Sequence, residues 1–485
     1  MKSAGQRAGN SKREVGNAWS FAGTRASDAT LALAPFHYHP LTLQAAARAR
    51  RGWAGGVTKL ALRVLPDVLE FEYHALMLHR TELLAALCLG VCLVALDAGA
   101  DVSPEEVGQV MRLPDRVSDH WVWVPDQLFR HSVLFDGDSG RMLGAIDSGA
   151  QVTPKTPLWS RAHNEIYNVD TIYSRGHRGE RHDFVVIYDS RTLDVKGEVE
   201  IPAKTADTGT GIALVGMLDG DRLMVVLNQS PGSSVSVVDV AARRMVAEVQ
   251  TAGCAAVFPA GPTRFGMLCG DGTAITVHLK ENGELDRIAR SASFFEVVAD
   301  PITEKGVRDG TTWRFASFGG QLYEVDFGGD APVPRTPWPL FTDEELADEW
   351  RIGGAQHLAY HRGTKRLYSV VHRGGPGSHK DPGPEVWVYD VATHDKVDVF
   401  SAPNLIAAAL GPQAGFDAQG AVGKILNFVI PNMGVHSIAV TQDSHPLLFV
   451  RNADLGAVGV LDALSGEHLR DIDETGLAGK LLVVP

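Results

Sequence analysis

The run EVWVYDVATHDKVDVF, residues 385–400, decides how this chain folds. It alternates apolar and polar residues over Glu385–Asp390, passes a polar turn, and alternates again to Phe400. That is a strand, a tight turn and a second strand. Asp390 closes the first strand, where its carboxylate can bond backbone amides two residues on. The pattern recurs in SVLFDGDSGRMLGAI (Asp136), FVVIYDSRTLDVKGEVEI (Asp189), SVSVVDVAARRMVAEV (Asp239), AITVHLKENGELDRIA (near Leu279), QLYEVDFGGDAPV (Asp326) and AVGVLDALSGEHLRDI (Asp462). The seven copies stand about 40 to 72 residues apart, with further hairpins such as Leu358–Val371 and Ile438–Val450 between them. Four strands per repeat with a period near 50 is the pattern of a propeller blade. The expected fold is therefore all-β, a seven-bladed β-propeller spanning residues 101–485. The Asp residues of the repeat are expected to be structural.

Working outward, FTDEELADEWRIGGAQHLAYHRGTKRLYSVVHR (341–373) decorates one repeat. Thr342 and Glu345 form a capping box, with acidic residues in the first turn. The expectation is a short helix over about 343–350, ended by Gly353-Gly354, then strands Gln356–His361 and Arg366–His372 around a turn at 362–365. Residues 403–433 break the period between the sixth and seventh repeats. They are apolar, with scattered Gly and Pro, and read as a surface flap or a segment lying on a partner.

Composition bounds the partners. The chain of 485 residues has net charge −13, but residues 1–80 carry 11 Lys/Arg against 5 Asp/Glu, while residues 101–485 carry 34 against 51. An acidic body argues against a nucleic-acid partner. Leu83–Leu96 is an apolar run too short for a membrane span and of signal-peptide length. Met77, His79-Arg80 and Ala98-Gly99-Ala100 complete a secretory signal over 77–100. Residues 1–76 then read as an extension upstream of the true start, or as a long leader. A mature chain beginning near Asp101 would be periplasmic, with no membrane contact after cleavage.

No G-x-S-x-G, Walker loop, CxxC or CxxCH motif is present. His357 and His361, four apart on a strand, with His372 and His379 beyond, fit hydrogen-bonded strand histidines better than zinc. No metal site and no catalytic residue is assigned to this chain. Folding CAAVFPAGPTRFGMLC (254–269) about 260–263 pairs 258 with 265, 256 with 267 and 254 with 269. That register sets Cys254 against Cys269, and export favours their disulfide.

ADEWRIGGAQHLAYHR (347–362) resembles the large-subunit signature of the tryptophan tryptophylquinone amine dehydrogenases, the methylamine and aromatic amine dehydrogenases. TIYSRGHRGERHDFVVIYDSRTL (171–193), the Cys254 to Cys269-Gly-Asp-Gly run, SHKDPGPEVWVYD (378–390) and TQDSHPLLFV (441–450) agree, in order, across about 120–480. The resemblance implies a periplasmic heterotetramer of two large and two small subunits. It places tryptophan tryptophylquinone and the catalytic base on the small, cysteine-rich subunit. A primary amine is oxidised to aldehyde and ammonia, and electrons pass to a blue-copper protein. Ala150 falls where methylamine dehydrogenases carry a phenylalanine near the substrate channel. Either the smaller side chain leaves room for a larger amine, or the loop simply differs. Trp350 and Arg351 are candidates for the partner interface, and Trp350 could equally pack on its own blade. A non-catalytic periplasmic binding propeller and a lactonase-like propeller hydrolase are the competing readings.

Overall fold

The computed structural model describes residues 112–149, 155–207, 212–473, 475–476 and 479–485. The expectations for residues 1–100 and for Ala150 lie outside the described residues. Seven antiparallel sheets follow one another along the chain, at 121–147, 158–201, 215–250, 254–290, 307–339, 350–401 and 437–472. These are the seven blades of a β-propeller, as the repeat predicts. Five-stranded counts in blades five and six arise because one strand position is broken in two. In blade five the pieces are Val333–Pro334 and Trp338–Pro339; in blade six they are Trp350–Ile352 and Leu358–His361.

The repeated Asp does what its position suggests. It ends the third strand of six blades and accepts amide hydrogen bonds from the turn beyond. Asp189 accepts from Arg191 N at 2.9 Å, Asp390 from Ala392 N at 2.7 Å, and Asp462 from Ser465 N at 2.7 Å. Four residues after the Asp the backbone turns left-handed, at Gly140, Leu193, Arg243, His394 and Gly466. This is the hairpin closed by a type I turn and a bulge. Blade four, with Leu279 in place of Asp, keeps the left-handed residue (Gly283) and closes its turn through backbone bonds, with Asn282 Oδ1 accepting from Glu284 N at 3.1 Å.

Third strands are buried, as in Ser234–Asp239 and Ala274–Leu279, while outer strands are half-buried or exposed. Such strands have apolar residues facing both neighbouring blades, so the core is a ring of inter-blade clusters. Phe258 of blade four, for example, meets Phe315 of blade five edge-on at 4.9 Å.

Two chain ends close the ring. Blade one has three strands of its own, and the C-terminal segment supplies the innermost position. Trp123 and Val483 exchange both backbone bonds, at 2.8 and 3.0 Å. Arg451 of blade seven is wholly buried behind this closure. His120 spans the same seam, with Nδ1 2.8 Å from Asp138 and Nε2 3.2 Å from Asp443. Burial works against its cation, but hydrogen bonds and charge from Asp138 and Asp443 outweigh that, and its pKa is raised. A raised pKa means the charged ring favours the folded state. The contribution is whole below about pH 6.5, the unfolded value, and fades as pH rises through the folded value. Thermal unfolding should therefore show His120→Gln less stable than wild type at pH 5.5, with the gap narrowing by pH 9. A gap that widens with pH would contradict this sign.

Two sequence expectations are corrected. The helix α1 covers Asp343–Ala347, not 343–350, although its capping box is present, with Glu345 N to Thr342 Oγ1 at 3.2 Å. It ends at Glu349, whose φ of 65° turns the chain straight into Trp350–Ile352. Gly353-Gly354 does not terminate it. Gly354 (φ 92°) instead allows close passage of the His436 carbonyl, which a Cβ would meet at 2.3 Å. The strand after it begins at Leu358 rather than Gln356, because Gln356 bridges to Ser437 of blade seven.

The second correction concerns the cysteine hairpin. Cys254 pairs with Cys269, and the disulfide is formed. Their amides turn away from each other, to Thr251 O and Thr273 O, so this is a non-hydrogen-bonded pair. The expected register fails further along. Ala256, left-handed at φ 64°, adds a residue, and Phe258 lies opposite Gly266 rather than Phe265. The extra residue lets Val257 N–H reach Ala213 O of blade three at 2.8 Å. Replacing both cysteines by serine should cost on the order of 3 kcal/mol in urea unfolding, from the freed 15-residue loop. An unchanged midpoint would remove the disulfide from the stability argument.

Candidate functional site

Strand alternation divides the ring into two ends. The repeat turns lie at one. At the other lie the links from each outer strand to the next blade, and the links between second and third strands. Cys254, Cys269, Trp350, Arg351 and the insertion before blade seven lie at this second, connection end.

Residues 402–436, between blades six and seven, form two helices there: α2 (Ile406–Ala414) and α3 (Ala421–Val429). Helix α2 buries Ile406, Ala407 and Ala408. Leu405 and Ala408 join the core shared by blades six and seven. Helix α3 buries Gly423 alone of its residues and leaves Ile425, Phe428 and Val429 exposed, Phe428 at 91%. The flap expected from the sequence is thus a helical hairpin with one face seated and one open.

Trp350 is half-buried on its own blade. Its ring lies 5.0 Å from Trp387, and the Arg373 guanidinium sits 5.1 Å over it. Arg351 turns back, donating from Nη1 to Leu346 O at 3.1 Å and Trp350 O at 2.6 Å. Lys396 joins Glu345 of α1 and covers the Trp387 ring at 3.5 Å. The helix and strand are therefore a rigid projection cemented to blade six.

Gly149 and Lys155 are the described residues on either side of Ala150. Gly149 (φ 62°) packs against Thr171 and Asp170, where a Cβ would sit 2.7 Å from Thr171 O. At the other end Lys155 is wholly buried, within reach of the charges on Asp170 and Asp183. Burial pulls the pKa of Lys155 down to about 8 and pushes that of Asp170 up to about 7. In each case burial disfavours the charged form, and the opposite charge of the other group works against that shift. Asp183 is different. Burial raises its pKa, but hydrogen bonds from Arg181, Thr205 and Thr171 outweigh that and keep it ionised. Its bonds to Thr205 N and Oγ1, both 2.8 Å, tie the link leaving blade two to that blade. The sequence reading missed Lys155 and Asp170; a lysine inside the apolar run TPKTPLW was the available signal.

The histidines are engaged. His357 Nε2 is 3.1 Å from Thr303 Oγ1, His372 Nε2 is 2.9 Å from Ser378 Oγ, and His361 Nε2 is 3.0 Å from the Asp443 carbonyl. Among the described residues no group of three His, Cys, Asp or Glu side chains converges for a metal. An axial cavity of about 470 Å³ is lined by residues of the innermost strands, Val215, Val307, Leu358 and Ile438 among them. Two arginines line it, Arg308 held bidentate by Asp219 at 2.7 and 2.8 Å, and Arg362 held by Gln442 at 3.1 Å.

Comparison with known proteins follows this geometry. The methylamine dehydrogenase heavy chain of Methylophilus methylotrophus is 25% identical over 419 residues, covering 83% of this chain and 94% of that one. That of Paracoccus versutus is 26% identical over 355 residues, covering 72% and 74%. That of Methylorubrum extorquens is 22% identical over 354 residues, covering 72% and 78%. The family description that matches is methylamine dehydrogenase heavy chain, over residues 121–408, from the first strand of blade one into α2. That match takes in more than half of the chain, which belongs to the methylamine dehydrogenase heavy chain family.

Proposed function

We propose that this chain is the large, scaffold subunit of a periplasmic quinoprotein amine dehydrogenase. It pairs with a small subunit carrying tryptophan tryptophylquinone, as two large plus two small. The enzyme oxidises a primary amine to aldehyde and ammonia and passes electrons to a blue-copper protein. The family match over 121–408 carries this reading.

The quinone supplies a carbonyl that captures the amine and accepts two electrons. The large chain presents a rigid face and excludes water from the substrate path. Its contributions lie at the connection end: the projection of α1 and Trp350–Arg351, the open apolar face of α3, and the loop of Ala150. With alanine where methylamine dehydrogenases have phenylalanine, the channel suits an aromatic or longer-chain amine.

Co-purification from the native source tests the assembly. A small, cysteine-rich chain in equal amount is the expected result, and recovery of the large chain alone would sink the reading. Trp350→Ala should weaken assembly while the propeller stays folded, since aromatic and Arg residues dominate interface hot spots. Lower stability with unchanged assembly would assign Trp350 to its contacts with Trp387 and Arg373 only.

A further inference from the structure

At the seam between blades five and six, at the connection end, Lys305 is buried with no salt bridge among the described residues. Lys305, on the segment entering blade five, is 4% exposed. Its Nζ donates to the Gly354 carbonyl at 3.2 Å, one acceptor for three donor hydrogens. Glu304 favours its charge from a distance, while Lys380 and Lys480 oppose it. His379 stacks on Phe318 at 3.6 Å, and its buried Nδ1 has no hydrogen-bond partner among the described residues. His357, wholly buried, sits within reach of the Lys305 charge. The acids near this group are Glu304 and Asp381.

Four separate segments thus bring three lysines and two histidines together on a body that is otherwise acidic. Burying an ammonium is costly unless it is paired, and here the fold gathers more positive charge around it. We propose that this seam is an anion site that takes a carboxylate, with Lys305 as its counter-charge and His379 Nδ1, Lys380 and Lys480 as further donors. A single negative charge matches the single buried ammonium. The carboxylate is free in solution or is carried by a docked protein chain, and the test separates these sources.

Thermal unfolding of the purified chain is followed against sodium acetate, with sodium chloride at equal ionic strength as reference, and separately against poly-L-glutamate. A saturable rise on the order of 2–4 °C is expected. It should vanish in Lys305→Met and need about fivefold more anion in the exposed double variant Lys380→Ala/Lys480→Ala. Saturation by acetate assigns the site to small carboxylates. Saturation by poly-L-glutamate alone assigns it to carboxylates borne on a chain. A response equal to chloride in both arms overturns the proposal, as does one unchanged in Lys305→Met. Should Lys305→Met fail to fold, an unchanged response in the double variant overturns it.

Discussion

Purified alone, the chain is expected to reduce no dye with methylamine, phenylethylamine or a longer alkylamine, and to gain full turnover when its small subunit is added. The chemistry needs a base for the α-proton and an electrophile that captures the amine and takes up two electrons. Side chains here can serve as bases. None of the ordinary side chains is a two-electron carbonyl acceptor, so that part must come from a cofactor. In the proposed enzyme it resides on the partner, so the difference between the two assays is all-or-none. Turnover by the large chain alone, without quinone absorbance, would falsify this division of labour. Inactivity of the reconstituted pair toward every amine would remove the amine dehydrogenase reading itself.

Arg451→Ala is expected to be the most damaging single substitution in the fold, at about 3–5 kcal/mol. The guanidinium is wholly buried and donates to four carbonyls: Pro125 O at 3.1 Å, Leu481 O at 3.3 Å, and Thr475 O and Gly476 O at 3.2 Å. Burial pulls its pKa down to about 9, with Asp126 acting in the other direction. These carbonyls belong to blade one and to the segment that completes it. Removing the donors leaves buried acceptors without partners, each costing about 1–3 kcal/mol, and opens a cavity at the ring closure. Arg451→Lys should fall between, since one ammonium cannot reach all four acceptors. Urea unfolding measures both. A midpoint for Arg451→Ala equal to wild type would mean the closure does not depend on the Arg451 bonds.

The repeat was legible because its determinants are local. Period-two alternation, an Asp at the strand end and a turn after it depend on neighbours within a few residues. The capping box at Thr342 and Glu345 was legible for the same reason. Local patterns also misled at two points. Glu349 rather than Gly353-Gly354 ends α1, because the next strand had to start at once against Arg373. Ala256 carries a bulge no alternation signals, since its reward is a bond to blade three.

The sites divide in the same way. Cys254 and Cys269 are close in sequence, so a hairpin argument brings them together. Lys155 and Asp170 meet only when the link into blade two folds over its second strand. Lys305, His379, Lys380 and Lys480 span 175 positions and come from separate parts of the chain. By itself the sequence determined the blade, its sevenfold repetition and the family likeness, because each rests on short-range order. Only the tertiary structure decided which blade ends face the same way, which buried charges find partners, and that one apolar helix face stays open. All three depend on contacts between residues far apart in the chain, which short-range order does not encode.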